Sequence, residues 1–387
     1  MPIIARPARS SLRSLILAAT ALAAFSGAAF ADPEFVKQAK PGAGLYELVF
    51  SPATNRVYVA AAGTRGAKET FVLGLDPTTL EVKETIALGE DPMFGLGVNN
   101  KTKTLYGTQT RDGSVSAIDL NTGKIVAHVA KGEKAHVRQI VVDEDANKVY
   151  VSVVGMREAP SEIWIIDGAT NKLDHAIEGL TGGVTGIALD AKGKRLFAST
   201  MNSNEVHVVD LATEKVVKTF PSGGDNAINL AYDASGDQLF IAHQGSGEVV
   251  VLDAKDGNII KKIPTGEGAL SVAIDPARSL AYVTNRRAGY VTLIDTKTLE
   301  PVANVNLGSM PQTVAIDAAT GNAYVSSKMK SAMRPRPSAP PAAAGAPPVS
   351  AAAVPAGAQP AAGPGGERPR PVPMVDPFGD TVTLIKP

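Results

Sequence analysis

The chain has 387 residues, 38 basic and 38 acidic side chains, and no cysteine. Because the charges balance, overall charge gives no case for a polyanion partner, and only the placement of charges can provide one. The lack of cysteine excludes disulfides, thiolate metal sites and a lipid-attachment cysteine, so the core must hold without cross-links.

The first 31 residues have the pattern of a secretory signal. Arg6, Arg9 and Arg13 form a basic start, Leu15–Phe25 is a short apolar run, and Ala29–Ala31 is a small-residue cleavage site. The run is too short to span a bilayer, and no other stretch is long and apolar enough. We therefore predict an exported, soluble chain with no membrane span. Removing the three arginines leaves 35 basic against 38 acidic residues.

Most of the chain repeats one unit. Strands that end in Asp recur at intervals of 42 to 48 residues, and strands centred on Tyr or Phe recur seven times. The Asp series is Asp76, Asp119, Asp167, Asp210, Asp253 and Asp295, and the aromatic series is Tyr58, Tyr106, Tyr150, Phe197, Phe240, Tyr282 and Tyr324. A period in the low forties with four short strands per copy is typical of a propeller blade. We predict an all-β fold, a seven-bladed β-propeller of four-stranded antiparallel blades.

The cleanest copy is Leu280–Asp295, in which two alternating strands flank a tight turn. That turn carries Arg286 and Arg287, which are not part of the repeated pattern. Trp164, the single Trp, lies at an apolar position of a third strand, so we predict that it packs between blades.

The seventh copy is interrupted. Its first two strands run from Gln312 to Ser327 and its third is Thr381–Ile385. Residues 331–377 between them are rich in Pro, Ala and Gly and cannot bury enough apolar surface to offset the entropy of ordering. We predict a disordered insertion at 331–377, with the propeller formed by residues 32–330 and 378–387.

The fourth strand of the seventh blade must come from elsewhere, because the chain ends after the third. Phe35–Gly42 (FVKQAKPG) has the pattern of the outermost strands of other copies, such as VVKTFPSG. We predict that this mature N-terminal strand pairs with the last blade and closes the ring, which removes two unpaired edges. A chain that starts near Leu45 should therefore be much less stable than one that starts at Asp32.

Sorting the connections by face suggests a binding site. With the strands of a blade lettered A to D from the channel outward, the D-to-A and B-to-C connections share one face. That face receives twelve basic residues: Arg65, Lys68, Arg111, Lys131, Lys134, His136, Arg138, Arg157, Arg286, Arg287, Lys328 and Lys330. Against these stand seven acidic residues, Glu69, Asp91, Asp112, Glu133, Glu158, Asp225 and Glu267, whereas the other face collects most of the strand-terminal Asp residues. A basic channel mouth suits an anionic ligand. Alternatively, these residues are solvated loop charges.

Aromatic and amide side chains accompany the basic ones on this face. Tyr46 and Phe94 lie at the starts of inner strands, where they can stack nucleobases or simply plug the channel. Asn229 and Gln139 can line the channel or bind ordered water.

Enzyme signatures are weak. The five His residues share no metal-ligand spacing, there is no haem-attachment motif, and the glycine pairs do not precede helices as phosphate loops do. We therefore predict no catalytic residue, no metal and no cofactor.

Several stretches resemble one known family. Tyr-Val-Thr-Asn at Tyr282–Asn285 is the signature of YVTN propeller repeats, and the stretches GAGLYELVFSP, LDPTTLEVKETI, TGIALDAKGKRLF and NRRAGYVTLID resemble the YncE group of seven-bladed propellers. The resemblance implies a periplasmic location, binding of DNA, in particular single-stranded DNA, and no known catalytic activity. Carried over by position, the binding residues are Tyr46, Phe94, Arg138, Asn229 and Arg286.

The leading hypothesis is thus an exported, non-catalytic, monomeric propeller that binds single-stranded nucleic acid or another polyanion on its basic face. The predicted site residues are Tyr46, Phe94, Arg111, Arg138, Asn229, Arg286, Arg287 and Lys328. The first alternative is an envelope scaffold that binds a protein partner, with the insertion as a tether. The second is a quinoprotein-dehydrogenase-like or lactonase-like enzyme.

Overall fold

A computed structural model describes residues 33–64, 66–132, 135–155, 160–330 and 376–387. Within these residues the regular secondary structure is entirely β-strand. The predicted signal at 1–31 and nearly all of the predicted insertion at 331–377 lie outside the described residues.

Twenty-eight strands follow one another along the described chain. In order they are β1 (Glu34–Ala39), β2 (Leu45–Ser51), β3 (Arg56–Ala61), β4 (Thr70–Leu75), β5 (Val82–Gly89), β6 (Gly95–Asn99), β7 (Thr104–Gln109), β8 (Ser114–Asp119), β9 (Lys124–Val129), β10 (His136–Asp143), β11 (Lys148–Val154), β12 (Ser161–Asp167), β13 (Lys172–Leu180), β14 (Val184–Asp190), β15 (Arg195–Thr200), β16 (Glu205–Asp210), β17 (Lys215–Pro221), β18 (Ala227–Asp233), β19 (Gln238–His243), β20 (Glu248–Asp253), β21 (Ile259–Pro264), β22 (Ala269–Asp275), β23 (Leu280–Asn285), β24 (Tyr290–Asp295), β25 (Glu300–Asn306), β26 (Met310–Ile316), β27 (Ala323–Lys328) and β28 (Thr381–Lys386).

The strands form seven four-stranded antiparallel sheets, which confirms the predicted seven-bladed propeller. Blades one to six each take four consecutive strands, beginning with β2. Blade seven has the order β1-β28-β27-β26, so the first strand of the described chain is the outermost strand of the last blade. Phe35 pairs with Ile385 and Ala39 with Val382, which confirms the predicted ring closure.

The core is divided into seven apolar clusters, each lying between two neighbouring blades. The repeated Tyr or Phe of each second strand is at most 4% exposed and belongs to one of them. Trp164 is fully buried with Tyr106 and Val115 of the preceding blade, which confirms its predicted inter-blade packing. Burial between blades, rather than within one, means that no blade can bury its faces alone.

Hydroxyl side chains add polar links between blades near the channel. Thr108 Oγ1 donates to the Arg138 carbonyl at 2.8 Å, and Thr284 Oγ1 donates to the Gln312 carbonyl at 2.9 Å. Ser152 and Ser326 make the same type of bond to Thr185 and Tyr46. Each bond joins a second strand to the inner strand of the next blade, so the inner strands are held at a fixed spacing.

The outermost strand of every blade carries a β-bulge at the same place. The bulged residues are Val36, Lys83, Val126, Asp174, Val217, Ile260 and Val302. A bulge interrupts the row of unpaired backbone groups at an exposed edge and so discourages pairing with another chain. It also explains why aliphatic side chains such as Val217 and Val126 are more than half exposed there.

The Asp residues that end the third strands act in turns. Asp167 Oδ1, for example, accepts the backbone N–H groups of Ala169 and Thr170 at 3.0 and 2.8 Å. These hydrogen bonds lower the pKa of the Asp167 carboxyl below its ordinary value. The repeated Asp series is therefore explained by turn chemistry.

The B-to-C turn of a blade and the D-to-A connection that enters the same blade are hydrogen-bonded to each other. The backbone N–H of Arg286 donates to Gly268 O, that of Met201 to Gly183 O, and that of Ala62 to Gly44 O. Both kinds of connection therefore share one face of the propeller, as the sequence predicts. We call this the mouth face.

Candidate functional site

A cavity of about 410 Å³ lies at the centre of the mouth face. All seven blades contribute to it, through the first residues of the inner strands and through two B-to-C turns. The lining residues are Tyr46, Glu47, Phe94, Gly95, Thr110, Arg111, His136, Arg138, Gln139, Thr185, Ile228, Asn229, Leu270, Ser271, Arg286, Gln312 and Thr313.

Bulges in the inner strands aim side chains into this cavity. In six blades the register between the first and second strands shifts at the same level, at Tyr46, Arg138, Thr185, Ile228, Leu270 and Gln312. A bulge adds one residue to a strand and redirects its side chain. In blade two the corresponding residue is Phe94, whose N–H donates to Thr108 O at 2.9 Å just before β6 begins.

Two of the redirected side chains form an aromatic pair. The rings of Tyr46 and Phe94 meet edge to face, with centroids 4.7 Å apart and an interplanar angle of 84°. Lys328 Nζ lies 3.6 Å from the centre of the Tyr46 ring, and Arg111 Cζ lies 5.6 Å from that of Phe94. Each ring therefore has a cation over it, an arrangement that stabilises a charge next to an apolar surface.

Arg138 and Arg286 place two further cations in the cavity. Within the described residues neither guanidinium has a carboxylate within 4.0 Å. Desolvation by the surrounding protein lowers the pKa of both groups, and the positive charge of Arg286 lowers that of Arg138 further. Two partly desolvated cations near one another favour a bound anion.

Glu47 is the one carboxyl side chain among the lining residues, directly after Tyr46. Its backbone N–H donates to Phe94 O at 3.2 Å. Desolvation raises the pKa of its carboxyl from 4.5 to about 8, although a hydrogen bond from the Leu96 backbone and the charge of Arg138 lower it. Burial therefore favours the protonated form of Glu47, and this carboxyl forms no ion pair with Arg138.

An amide bridge crosses one side of the cavity. Asn229 Nδ2 donates to Gln139 Oε1 at 3.1 Å, and the same Gln139 oxygen accepts the Ile187 N–H at 2.8 Å. Asn229 Oδ1 in turn accepts the Val272 N–H at 3.0 Å. The backbone of Gly186 packs closely against Asn229: a Cβ at position 186 would be 2.6 Å from the Asn229 Cα.

The structure brings together most of the predicted site residues. Six of the eight line the cavity, and a seventh, Lys328, lies over the Tyr46 ring. Arg287 is outside the lining, with Nη1 at 3.4 Å from Glu267 Oε1 in an exposed ion pair. Of the other basic residues that the sequence assigns to this face, Arg65, Lys134 and Arg157 lie outside the described residues.

Sequence reasoning missed several lining residues, among them Glu47, Ile228 and Leu270. Glu47 has a usable signal, an ionisable side chain within an inner strand whose neighbours are apolar. Ile228 and Leu270 have none, because an aliphatic residue at an inner-strand position looks like core until the bulge is known.

The described part of the chain holds no group of three or more His, Asp or Glu side chains placed for a metal ion. It also contains no helix of the length and apolarity that a membrane crossing requires.

A family model described as YncE-like β-propeller matches residues 12–278, which is more than half of the chain. The chain belongs to the YncE-like β-propeller family. This agrees with the resemblance found in the sequence and with the seven-bladed ring.

Curated relatives include proteins named "Uncharacterized protein YncE". Those of Escherichia coli O157:H7 and of strain K12 are 35% and 34% identical over 197 and 199 residues. Each match covers 49% of this chain and 54% or 55% of the relative, so the chain spans about half the length of the curated relatives it matches.

Among solved structures, one chain of Kuenenia stuttgartiensis hydrazine synthase has a similar fold. The TM-score is 0.62 and the sequence identity 18%, with 76% of this chain and 94% of that chain covered. At this identity the likeness concerns the propeller fold alone.

Proposed function

We propose that this YncE-like propeller is a non-catalytic, exported binding protein that holds single-stranded nucleic acid, or another polyanion, at the channel mouth. One observation carries the proposal: Arg111 and Lys328 lie over the rings of the Tyr46–Phe94 pair, and Arg138 and Arg286 line the same cavity. Cations contact phosphates, aromatic faces stack bases, and a single strand offers both groups along its whole length.

The charge balance of the cavity supports an anionic ligand. Three arginines line the cavity against one carboxyl, Glu47, whose pKa is raised to about 8 by desolvation. The pKa of His136 is lowered by desolvation and by Arg138, so this side chain is mostly neutral. The lining therefore keeps a net positive charge, which attracts anions and repels cations.

The proposed ligand is also the one that the sequence resemblance implies. A periplasmic site of action accords with the secretory pattern of residues 1–31. Binding would be tolerant of base sequence, because the wall offers charges and ring faces rather than a set of base-edge donors and acceptors.

The experiment is fluorescence anisotropy with an internally labelled oligothymidylate at several salt concentrations. Each phosphate contact on a single strand contributes about −0.7 to the slope of log affinity against log salt, so four contacts give a slope of roughly −3. The double variant Arg138→Ala with Arg286→Ala should bind much more weakly and have a slope nearer to about −1.5.

A control with the same loss of charge is Lys124→Ala with Lys215→Ala. Both lysines are exposed at the starts of outermost strands, away from the mouth face. This variant should bind like the wild type. The proposal fails if the wild type does not bind at low salt, or if the two double variants weaken binding equally.

A further inference from the structure

The shape of the cavity limits what part of a strand can enter it. Its lining comes only from the starts of inner strands and from B-to-C turns, and includes no residue from the opposite ends of the inner strands. A ligand that approaches from the mouth face therefore meets the starts of the inner strands and two B-to-C turns. A volume of about 410 Å³ is near the lower limit of the range for pockets that bind small molecules.

An internal nucleotide suits such a cavity poorly. The strand would have to double back at the mouth and bring two chain segments past the same rim. A terminal nucleotide needs only one segment to cross it. Because each ordered segment carries its own entropy cost, entry of an end is favoured.

The charges within the cavity suit a terminal phosphate. Arg138 and Arg286 both line it, and within the described residues neither has a carboxylate partner. A phosphate monoester carries about −1.5 to −2 charges at pH 7 and three acceptor oxygens, whereas an internal diester carries one charge. Two guanidinium groups match the monoester in charge, and each can donate two parallel hydrogen bonds to it.

The aromatic pair lies beside these cations. The Tyr46 phenol is close enough to both guanidinium groups to influence their pKa values, and Phe94 meets the Tyr46 ring at 4.7 Å. A base attached to a phosphate held at Arg138 and Arg286 can therefore reach a ring face. The remaining cations, Arg111 and Lys328, lie over the rings of Phe94 and Tyr46.

We propose that the channel mouth captures the phosphorylated end of a single strand, with the terminal phosphate monoester between Arg138 and Arg286 and the terminal base against Tyr46 and Phe94. This inference rests on the proposed function, since it names the part of the polyanion that enters the cavity. It assigns to Arg138 and Arg286 a role distinct from that of Arg111 and Lys328, which would contact internal phosphates.

The test is competition against one internally labelled, 5′-phosphorylated oligothymidylate. The competitors have the same sequence and length and carry a 5′-phosphate, a 3′-phosphate, two hydroxyl ends, or no end because they are covalently closed circles. Thymidine 5′-monophosphate is the fifth competitor. We expect one of the phosphorylated strands to compete at least about tenfold better than the hydroxyl strand and the circle, since charge-assisted bonds are lost with the phosphate.

Variants separate the two roles. Arg138→Gln and Arg286→Gln should each remove the advantage of the phosphorylated end, so that the phosphorylated strand competes no better than the circle. Arg111→Gln should weaken all strands by a similar factor and keep the advantage. Thermal unfolding of each variant checks that it folds, and the pair of Gln variants provides two independent readings of the same prediction.

The outcomes are distinguishable. A circle that competes as well as the phosphorylated strand overturns end capture while the proposed function stands. A hydroxyl strand equal to the phosphorylated strand overturns the role of the phosphate. Equal competition by thymidine 5′-monophosphate would assign the cavity to free nucleotides. If the labelled strand itself does not bind at low salt, the proposed function fails as well.

Discussion

Arg286 and Arg287 are adjacent on one turn and have different surroundings. Arg286 lines the central cavity, whereas Arg287 extends toward Glu267 in the exposed connection before β22. An exposed pair of this kind contributes about 0–1 kcal/mol to stability. Two side chains that sequence reasoning grouped together therefore have separate roles, and only Arg286 is placed to contact a ligand in the cavity.

Glu47 should make stability fall as pH rises. Its pKa is raised from 4.5 to about 8 in the folded state by desolvation, so the folded protein keeps a proton that the unfolded chain loses above pH 4.5. The free energy of unfolding should decrease between pH 4.5 and pH 8 and level off above pH 8, by at most about 5 kcal/mol at about 1.4 kcal/mol per pKa unit.

Urea unfolding at pH 5, 7 and 9 measures this effect. Glu47→Gln keeps the shape of the side chain without the titration, so the decrease should largely disappear in that variant. Glu178→Gln, at an exposed position on β13, is the matched control and should behave like the wild type. Parallel pH curves for Glu47→Gln and the wild type would contradict the prediction.

His243, in contrast to Glu47, should make stability fall as the pH decreases. It is fully buried, with Nδ1 at 3.1 Å from Ile241 O and Nε2 at 3.0 Å from Ser222 Oγ, and desolvation lowers its pKa from 6.5 to about 4. The folded state resists a proton that the unfolded chain accepts below pH 6.5. Stability from this residue is thus complete above pH 6.5 and is lost between pH 6.5 and pH 4, by roughly 3 kcal/mol.

Denaturant melts of the wild type and His243→Gln at pH 7.5 and pH 4.5 test this expectation. The glutamine variant should be less stable than the wild type at pH 7.5, because its amide fits the two hydrogen bonds less well. Its further loss on acidification should be clearly smaller. An equal loss in both proteins would mean that other groups account for the acid sensitivity.

At the scale of the element, β-bulges occur in both the outermost and the inner strands of the blades, and their effects differ. Those in the outermost strands disrupt exposed edges, and those in the inner strands direct Tyr46, Arg138 and four other side chains into the cavity. The inter-blade hydroxyl bonds end on carbonyls of the same inner-strand residues, such as Arg138 and Thr185. The backbone that carries the site is therefore fixed by its neighbours.

A substitution at Gly186 tests how closely the inner strands β14 and β18 must approach each other. A Cβ at this position would lie 2.6 Å from the Asn229 Cα and 2.9 Å from the Ile228 carbonyl oxygen, and these backbone atoms cannot move independently. Gly186→Ala should destabilise the protein by about 1–3 kcal/mol and weaken ligand binding by displacing Asn229.

The control is Gly236→Ala, in an exposed turn where the added Cβ meets only the flexible Gln238 side chain at 2.9 Å. This change should stay within about 0.5 kcal/mol of the wild type. Thermal and urea unfolding measure both variants. If Gly186→Ala is as stable as Gly236→Ala, the inner strands are less tightly packed than the structure indicates.

At the scale of the whole molecule, stability depends on a closed ring. Every apolar cluster lies between two blades, including the one shared by blades one and seven. Closure rests on β1, whose pairing with β28 completes the last blade. Further hydrogen bonds stabilise the last blade, because the Asp376 carboxylate accepts from Ser309 Oγ at 2.7 Å and from the Lys330 N–H at 2.8 Å.

Removal of β1 should therefore open the ring. A chain that starts at Leu45 should have a free energy of unfolding lower by more than about 3 kcal/mol, a large part of the 5–15 kcal/mol typical of folded proteins. It should also aggregate, because β28 becomes an unpaired edge. A chain that starts at Asp32 is the control. Urea unfolding and light scattering give the comparison, and equal stability of the two chains would exclude a role of β1 in closure.

The sequence alone determined the number of blades, the strands within them and the strand that closes the ring. This was possible because a repeated period, alternating apolar residues and turn-forming Asp residues such as Asp167 are local patterns that tertiary contacts do not alter. It also identified Tyr46, Phe94, Arg138 and Arg286 as members of one basic face.

Only the tertiary structure decided which of these residues meet and how they are protonated. The inner-strand bulges turn Ile228 toward the cavity, whereas Arg287 lies outside it beside Glu267. The raised pKa of Glu47 depends on desolvation by residues that are distant in the sequence. Distances and burial across seven blades are properties of the closed ring, and no single repeat contains them.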